Sequence, residues 1–471
     1  MNKTKIVVTV GPVTASREML KSLIINGTDV VRLNMSYASF DFCREVINKI
    51  NDINKELNTY TSIMIDTKGP LVRIGKILNG SAFLKKDDKI RIFMNPILGD
   101  CTKFSIDYSE LIKDVEIGNI IKIDDGLIEL QIIDKGHDYL LCKVLKEGYI
   151  SDNKSLNFPG VKLKRKFLSE FDKETIKFAH DMNVDFIALS FVSDYEDVLE
   201  VNDLLIDLKD EHIQIISKVE NNSAILDIDR IIKASDGIII ARGDLGAEIA
   251  MERIPGIQKR ILAKCHDAGI TSIVATELLS TMVNNEMPTR AEVSDIANAV
   301  LDGTDAVMLC GETTIGKYPL ETLKMMERII RTSEKDIDYN NMIEQAVKNE
   351  IIDTTSSLAY SVATVSEKLK CKAIFAPTMS GHTAKKMSRY RPFCPIIAIS
   401  PNIETVKSLS LNFGVYPILI NELKSIDAII EKSKKIAVEF LMLQPKDKII
   451  ITGGYPFKKA NHTNFMKIEE L

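Results

Sequence analysis

Short runs of apolar, mostly β-branched residues recur along the chain, and each is followed by polar residues and then by a stretch with helical periodicity. Eight such runs occur in the first two thirds of the sequence: KIVVTV, DVVRLN, TSIMIDT, DFIALSF, IQIISKVE, GIIIARGD, TSIVATE and DAVMLCGET. Near-continuous apolar strands separated by helices are typical of a parallel sheet covered on both faces. Eight of these units predict an α/β fold with a closed (β/α)₈ TIM barrel, and an open doubly wound sheet is the second choice.

The regular spacing of these runs is interrupted once. The third run ends at Thr67 and the fourth begins at Asp185, and the sequence between them contains alternating segments such as KIRIF and LIELQIID. Alternation of apolar and polar residues, bounded by Gly and Asp, predicts antiparallel strands joined by turns. We therefore predict a small β-barrel lid domain, inserted above the mouth of the main barrel.

A third unit follows the charged segment RTSEKDIDYNN. Beyond that segment, apolar strands such as CKAIFAP, PIIAIS and DKIIITGG alternate with helical stretches such as SIDAIIEKSKKIAVEFL, which predicts a separate C-terminal α/β domain. The predicted division gives residues 1–69 and 167–338 to the two parts of the TIM barrel, 70–166 to the lid and 339–471 to the C-terminal domain.

Composition narrows the class of protein. With 45% hydrophobic and 27% charged residues, the chain has the composition of a folded globular protein. Its net charge is -5 and no basic block is present, which argues against a nucleic-acid partner. The seven cysteines form no C-x-x-C pair, so neither a disulfide framework nor a zinc site is indicated. Because no membrane span or signal sequence is evident, we predict a cytoplasmic protein without a membrane partner.

Polar and charged residues end six of the eight apolar runs. In a TIM barrel the active site lies at the C-terminal ends of the strands, so these residues are expected to converge. Such a concentration exceeds what helix capping and structural ion pairs usually require. The residues are Arg32, Asn34 and Ser36; Asp66 and Thr67; Lys218 and Glu220; Arg242 and Asp244; Thr276 and Glu277; and Cys310 and Glu312.

Two of these side chains, Glu220 and Asp244, would bring carboxylates from neighbouring strands to one rim of the barrel. Oxygen ligands without a nearby histidine suit Mg²⁺ or Mn²⁺. A salt bridge from Asp244 to Arg242 or Lys218 is an equally weighted alternative at this point. Beside a divalent cation, the Lys218 ammonium can stabilise a developing oxyanion or a transferring phosphoryl group.

A second candidate site lies in the C-terminal domain. The segment PTMSGHTA, residues 377–384, combines a strand end, hydroxyl groups, Gly381 and the start of a helix. Free main-chain N–H groups and the helix dipole favour an anion at such a position. An ordinary helix N-cap is the alternative.

Taken in order, several segments resemble the successive signatures of the pyruvate kinase family over essentially the whole chain. They are TKIVVTVGP, VVRLNMSY, IDTKGPLVRIG, IDDGLI, ISKVEN, SDGIIIARGDLGAEI and PTRAEVSDIANAVLDGTDAVMLCGET. The resemblance implies a glycolytic enzyme that transfers a phosphoryl group from phosphoenolpyruvate to ADP, giving pyruvate and ATP. It also implies Mg²⁺ (or Mn²⁺) and K⁺ as cofactors and a homotetramer. A catalytically silent metabolite sensor and a carbon-carbon lyase are weaker alternatives.

The resemblance also implies roles for individual residues. It implies three catalytic residues: Lys218, Arg32 and Thr276. It implies substrate contacts from Arg32, Arg73, Lys218, Gly243, Asp244 and Thr276. Its Mg²⁺ ligands are Glu220 and Asp244, and its K⁺ ligands are Asn34, Ser36, Asp66 and Thr67. Its effector loop, which would bind the phosphate of a sugar phosphate or AMP, contains Thr378, Ser380, Gly381, His382 and Thr383.

Four positions depart from the family's pattern. Tyr37 stands where the family has histidine, and Glu277 stands where it has glutamine. Leu71 occupies a position that usually carries a charged residue associated with potassium use. Cys310 replaces a serine whose hydroxyl would relay a proton to the enolate. None of the four removes Lys218 or a predicted Mg²⁺ ligand.

Overall fold

The fold is described from a computed structural model, for residues 2–124, 126–347, 353–422, 425–454 and 463–471. Eight parallel strands close into a barrel, in which each strand pairs with its neighbours along the chain and the last pairs with the first. The predicted TIM barrel is therefore confirmed. Its strands are β1 (Lys5–Thr9), β2 (Val30–Asn34), β3 (Ser62–Asp66), β4 (Phe186–Leu189), β5 (Gln214–Val219), β6 (Gly237–Ala241), β7 (Thr271–Ala275) and β8 (Ala306–Leu309).

Helices surround the barrel, and the start and end signals in the sequence set their limits. The helix Phe40–Leu57 begins after Ser39, whose hydroxyl accepts the amide of Phe42, and ends at Asn58 in the left-handed conformation. Its buried face packs against the strands. The barrel helices are Arg17–Ile25, Phe40–Leu57, Glu170–Asp181, Tyr195–Asp207, Asn222–Leu226, Ile228–Ala234, Arg242–Glu248, Ile254–Ala268, Arg290–Leu301, Gly311–Thr314 and Pro319–Ser333, with 3₁₀ turns at Met251–Arg253, Ser280–Val283 and Glu334–Asp336.

The inserted lid is a separate β unit with its own apolar core. An isolated bridge between Ile74 and Ile106 joins the residues next to the two edge strands of its main sheet, so the sheet nearly closes on itself. In spatial order the main sheet contains Val72–Arg73, Ser155–Asn157, Ile120–Ile123, Ile128–Lys135, Tyr139–Lys146, Lys89–Phe93 and Lys103–Ser105; a second sheet pairs Ser81–Leu84 with Gly148–Ser151, and the short helices are Leu78–Gly80 and Leu111–Asp114.

The C-terminal domain is a five-stranded sheet flanked by helices, in the spatial order Val415–Leu419, Ile396–Ser400, Ala373–Pro377, Lys448–Gly453 and Phe465–Glu470. Its strands are β9 (Ala373–Pro377), β10 (Ile396–Ser400), β11 (Val415–Leu419), β12 (Lys448–Gly453) and the antiparallel β13 (Phe465–Glu470); its helices are Thr354–Lys368, His382–Arg389, Ile403–Ser408 and Ile426–Glu439, preceded by Tyr339–Val347. Within the described ranges, no helix combines the length and apolar character needed to cross a membrane.

An aspartate precedes every second barrel strand at the N-terminal face of the barrel. Each of these carboxylates accepts a hydrogen bond of 2.8 or 2.9 Å from a main-chain amide of the preceding strand. The same carboxylate-to-amide hydrogen bond therefore occurs four times, and each one holds the starts of two adjacent strands together. The aspartates are Asp29, Asp185, Asp236 and Asp305, which precede β2, β4, β6 and β8.

The C-terminal domain covers this face and supplies cations to three of the four aspartates. Arg391 donates to Asp305 at 2.7 Å, and Lys407 lies 3.5 Å from Asp185. Lys385 is near enough to Asp236 for the two opposite charges to attract each other. Leu411 packs into the apolar cluster that fills the barrel interior. The interface between the two domains therefore combines buried ion pairs with the apolar contact that Leu411 makes in the barrel interior.

A largely buried histidine at this interface should make stability depend on pH. His266 Nε2 lies 2.8 Å from the carbonyl oxygen of Arg389, and burial lowers the pKa of His266 to about 4, with the charge of Arg391 adding to the effect. Its ordinary pKa is 6.5. Between these values the unfolded chain takes up a proton that the folded protein excludes, so stability falls as pH falls. We expect a loss of about 3 kcal/mol across this window, and urea unfolding of the wild type and of His266→Gln should show that the variant lacks this component.

Candidate active site

A buried carboxylate, Asp66, forms the centre of the charged cluster at the C-terminal ends of the barrel strands. Arg32 donates from Nε to Asp66 Oδ1 at 2.9 Å and from Nη2 to Asp66 Oδ2, and Lys218 Nζ lies 3.2 Å from Oδ2. Burial by itself would raise the pKa of Asp66, but the two cations outweigh it and hold that pKa below its ordinary value. Asp66 is therefore ionised and holds both cations in place.

Lys218 is a second cation of this cluster and lies among three polar side chains. Its Nζ lies 2.8 Å from Glu220 Oε1 and 3.0 Å from Ser190 Oγ, in addition to its contact with Asp66. The side chain is almost entirely buried, which disfavours charge, yet the surrounding carboxylates raise the pKa of Lys218 above its ordinary value. An ammonium group is therefore fixed at the mouth of the barrel.

Glu220 and Asp244 lie close enough for their charges to interact. Glu220 is fully buried, and its Oε2 accepts the amide of Phe191 at 2.7 Å. Burial and the charge of Asp244 outweigh the attraction of Lys218 and raise the pKa of Glu220 to about 7. A divalent cation bound between two neighbouring carboxylates would offset their repulsion, so this pair suits such an ion. No group of three or more His, Cys, Asp or Glu side chains forms a metal cage in the part of the chain that the structure describes, so such an ion would take its remaining ligands from substrate and water.

The structure bears on both salt bridges that were considered as alternatives for Asp244, the one to Arg242 and the one to Lys218. Arg242 donates to Asp295 at 2.7 Å and to the carbonyl oxygen of Thr276 at 2.7 Å, so its guanidinium braces the ends of β6 and β7. The charge of Asp244 does act on Lys218, where it helps to raise the pKa of the ammonium group. Asp244 thus belongs to the same electrostatic cluster as Lys218 and Glu220.

A hydroxyl and a helix start face each other at the ends of β6 and β7. Thr276 Oγ1 accepts the amide of Gly243 at 2.8 Å, and Gly243 and Asp244 lie in the first turn of the helix Arg242–Glu248. Thr276 and Glu277 both have positive φ, at 66° and 53°. This sharp turn after β7 places the Thr276 hydroxyl next to Gly243 and leaves the Glu277 side chain exposed.

The four residues predicted to bind potassium lie next to one another at the ends of β2 and β3. Asn34 and Asp66 are directly paired in the sheet, and Asn34 Oδ1 accepts the amide of Ser36 at 3.0 Å. Thr67 follows Asp66 and is buried, whereas Tyr37 is 89% exposed. The group offers oxygen atoms and one carboxylate that already faces two cations.

Two predicted site residues have contacts of other kinds. The guanidinium of Arg73 donates to the carbonyl oxygen of Asn153 at 2.9 Å, a contact within the lid, so its role toward phosphate stays a prediction. Glu312 accepts the amides of Cys310 and Leu279 at 2.8 and 3.1 Å, so this strand-end carboxylate caps main-chain groups.

Cys310 lies beside the cluster, and Arg32 Nη1 approaches its Sγ at 3.8 Å. Burial raises the pKa of the Cys310 thiol, since the opposing charge of Arg32 does not offset it. The group at this position is therefore a neutral thiol.

Sequence reasoning missed Ser190 and Thr9. Ser190 donates to the carbonyl oxygen of Thr67 at 2.8 Å and accepts from Lys218, while Thr9 Oγ1 accepts from Arg32 at 3.0 Å. Both residues stand at or just beyond the C-terminal end of a barrel strand, so the rule that identified the other residues applies to them. Each is followed by an apolar residue, Val10 or Phe191, so the apolar run continues past it in the sequence and its strand end is not marked.

A cleft of about 740 Å³ separates the lid from the barrel. Leu71 lines it on the lid side, and the polar contacts that cross between the units include Lys162 Nζ to Asp194 at 2.6 Å and Asn157 Nδ2 to Glu248 Oε1 at 3.1 Å. On the barrel side the cleft is lined by residues that follow β4, β5 and β6, among them Phe191, Asn221 and Glu248.

In the C-terminal domain, the predicted effector loop precedes the helix His382–Arg389. Gly381 adopts φ 82° at the N-cap, and its amide donates to Thr378 Oγ1 at 2.9 Å. The Thr383 and Thr463 hydroxyls are buried against each other at 2.9 Å. Burial, followed by the charge of Lys386, lowers the pKa of His382. The loop therefore has a helix start without a side-chain cap, and the charge of Lys386 acts on it.

Together, the closed barrel, the charged cluster at its mouth and the inserted lid define a (β/α)₈-barrel enzyme. Comparison with known proteins identifies the family. The family model "Pyruvate kinase, barrel domain" matches residues 1–323, and "Pyruvate kinase, alpha/beta domain" matches residues 356–469. This chain belongs to the pyruvate kinase family, and it is a phosphotransferase.

Individual relatives support this assignment over the full length of the chain. The pyruvate kinase of Clostridium perfringens is 40% identical over 474 residues, with 100% of both chains covered. That of Sporosarcina psychrophila is 41% identical over 473 residues, covering 100% of this chain and 81% of the relative. A crystal structure of a pyruvate kinase from Cryptosporidium parvum superimposes with a TM-score of 0.94 at 34% identity, covering 100% of this chain and 96% of that one.

Proposed function

We propose that this enzyme transfers the phosphoryl group of phosphoenolpyruvate to ADP, giving ATP and, after protonation of the enolate, pyruvate. The observation that carries the proposal is the buried Lys218 ammonium, held at the barrel mouth between Asp66, Glu220 and Ser190. Phosphoryl transfer depends mainly on positioning and on stabilising spread negative charge, and a fixed, water-excluded cation provides both. Lys218 therefore stabilises the transferring group.

Glu220 and Asp244 would hold a Mg²⁺ or Mn²⁺ ion in this site. Their mutual repulsion, expressed in the raised pKa of Glu220, is the observation that fits a divalent cation here. When bound, the ion supplies charge neutralisation and polarises the oxygen atoms of the substrate. Arg32, which Asp66 orients, adds a second fixed positive charge on the phosphoryl side.

The carboxylate of phosphoenolpyruvate would bind at the start of the helix Arg242–Glu248. The main-chain amides of Gly243 and Asp244 lie in its first turn, and the Thr276 hydroxyl lies beside them. In this structure the Gly243 amide donates to Thr276, so an incoming carboxylate would replace that bond. The positive end of the helix favours an anion at the same place.

A potassium ion is proposed at Asn34, Ser36, Asp66 and Thr67. The fit rests on the donor set, since all four residues offer oxygen and the single carboxylate already faces Arg32 and Lys218. Because Arg32 and Lys218 already balance the charge of Asp66, the site has little net negative charge and suits a monovalent cation better than a divalent one. Whether turnover depends on K⁺ with Leu71 in place is decided by assaying pyruvate formation with and without K⁺; turnover that is equal in both would reject this assignment.

Neutralising one proposed metal ligand should abolish tight divalent-cation binding. We expect Glu220→Gln to weaken Mn²⁺ affinity by about 100-fold or more, because the ion loses one of its two protein carboxylates. Glu248→Gln is the matched control: that carboxylate is also largely buried, but it bonds to Asn157 in the lid. Mn²⁺ binding measured by calorimetry should be unchanged in the control. Equal affinities of the wild type and Glu220→Gln would contradict the assignment.

We propose that the loop containing Thr378, Ser380, Gly381, His382 and Thr383 binds the phosphate of an activating sugar phosphate or AMP. Support comes from the helix start at His382, whose N-cap has no side-chain hydrogen bond, and from the charge of Lys386 nearby. A carboxylate at Ser380 would repel a phosphate there. In Ser380→Glu we therefore expect the half-activating concentration of the effective compound to rise at least about tenfold, whereas Ser380→Ala should change it less. An unchanged activation curve in Ser380→Glu would exclude this loop.

The resemblance to the family also leads us to propose a homotetramer. Light scattering of the purified protein gives its molar mass directly. A mass of four chains of 52.7 kDa is expected, and a monomer at assay concentrations would reject the proposal.

A further inference from the structure

We infer that Ser190 is a positioning residue that fixes the direction of the Lys218 ammonium in the reaction; this inference deepens the proposed function and rests on it. Ser190 directly follows β4 and is almost fully buried. Its hydroxyl lies 3.0 Å from Lys218 Nζ, and none of the assignments above gives it a role.

Two hydrogen bonds to Thr67 hold Ser190 rigidly. The Ser190 amide donates to Thr67 Oγ1 at 3.0 Å, and the Ser190 hydroxyl donates to the Thr67 carbonyl oxygen at 2.8 Å. The amide of Thr67 in turn donates to the Ala188 carbonyl oxygen at 2.9 Å in the adjacent strand. The Ser190 side chain is therefore tied to the ends of both β3 and β4.

These bonds set the polarity of the contact with Lys218. A carbonyl oxygen can only accept, so the single hydroxyl proton of Ser190 points to Thr67. The lone pairs of Ser190 Oγ are then directed to Lys218, which must be the donor. The contact therefore requires an N–H group of Lys218 to point at Ser190, which fixes the orientation of the terminal amine.

Ser190 differs from the other two partners of Lys218 because it is neutral. The three protons of Nζ are directed to Glu220, Asp66 and Ser190. Asp66 is shared with Arg32, and Glu220 is a proposed metal ligand. A neutral acceptor can orient the ammonium without neutralising the charge that the transferring phosphoryl group needs. Ser190 therefore acts on catalysis through Lys218.

Ser190→Ala removes this contact, and Ser217→Ala is its matched control. Ser217 is also buried and lies next to Lys218 in β5. Its hydroxyl bonds instead to the hydroxyl of Ser235, at 2.7 Å, at the end of the helix Ile228–Ala234. We expect Ser190→Ala to lower kcat by about 10-fold to 100-fold while KM for phosphoenolpyruvate changes little, because misplacement of the ammonium is felt most in the transition state. Ser217→Ala should keep kcat within about twofold, although both variants lose a buried hydroxyl bond.

A second readout does not depend on turnover. The rate at which Lys218 is modified by reductive methylation, followed by mass spectrometry, should rise severalfold in Ser190→Ala and not in Ser217→Ala. Equal kcat and equal Lys218 modification in the two variants would overturn the role of Ser190. A wild-type protein that fails to convert phosphoenolpyruvate and ADP would reject the proposed function instead, and the modification rates would still decide whether Ser190 holds Lys218.

Discussion

Lys218→Met is expected to lower kcat for pyruvate formation by about 10³-fold or more, because Arg32, the other fixed cation, is held by Asp66 and does not take the place of the ammonium. The structure adds a cost in stability. Glu220 and Asp66 each lose a buried partner, a change that typically costs about 3–5 kcal/mol. Glu220 can offset part of this cost by taking up a proton, since its pKa is already raised to about 7.

The control for this variant is Lys407→Met. Lys407 is also largely buried and also faces a carboxylate, Asp185, but it lies at the opposite end of the barrel. We expect it to lose stability and keep kcat within a few fold. Steady-state kinetics and thermal unfolding of both variants separate the two effects. Near-wild-type turnover by a folded Lys218→Met protein would remove Lys218 from the mechanism.

Arg391→Met should give the largest loss of stability of any variant at the interface between the barrel and the C-terminal domain. Arg391 is 2% exposed, donates to Asp305 at 2.7 Å and to the Gly303 carbonyl oxygen at 2.9 Å, and stacks on Phe413. Removing the guanidinium leaves a buried carboxylate without its main cation, which is expected to cost about 3–5 kcal/mol in the free energy of unfolding.

Arg331→Met provides the matched comparison for that prediction. Arg331 also pairs with a carboxylate, Glu327, but its side chain is 60% exposed, so its loss should cost at most about 1 kcal/mol. Urea denaturation followed by fluorescence and circular dichroism measures both variants. Similar denaturation midpoints for the two variants would show that the Arg391 pair does not join the domains.

Much of the fold could be predicted from the sequence because its strands are buried on both faces. The continuous apolar runs of β5 and β6, each followed by a helix, leave few alternatives to a parallel barrel. Long-range contacts are a different matter. The near-closure of the lid by the Ile74–Ile106 bridge and the pairing of Arg391 with Asp305 join residues far apart in sequence, which periodicity cannot reveal.

The candidate site was predictable where charge marks a strand end. Arg32, Asp66, Lys218 and Glu220 come together because parallel strands share one edge. Charge alone also drew attention to Glu312, which caps main-chain amides. Ser190 carries no comparable signal, because it stands inside the apolar run DFIALSF and a serine after a strand is usually a cap or turn residue.

The four aspartates at the N-terminal face were not predicted either. Asp29, Asp185, Asp236 and Asp305 each read as an ordinary turn residue before a strand. Their common role is visible only when the strands are side by side, because each carboxylate bonds to a main-chain amide of a neighbouring strand. The sequence therefore shows four aspartates before strands, and only the closed barrel shows that each one bonds to the neighbouring strand.

The most direct measurement is ³¹P NMR of the purified wild-type protein with phosphoenolpyruvate, ADP, Mg²⁺ and K⁺. If the cluster around Lys218 transfers a phosphoryl group, the phosphoenolpyruvate signal will fall as the γ-phosphate signal of ATP rises in equal amount, and both changes will require ADP. Folded protein that binds Mg²⁺ and yet leaves both signals unchanged, or that releases inorganic phosphate without forming ATP, would contradict this account.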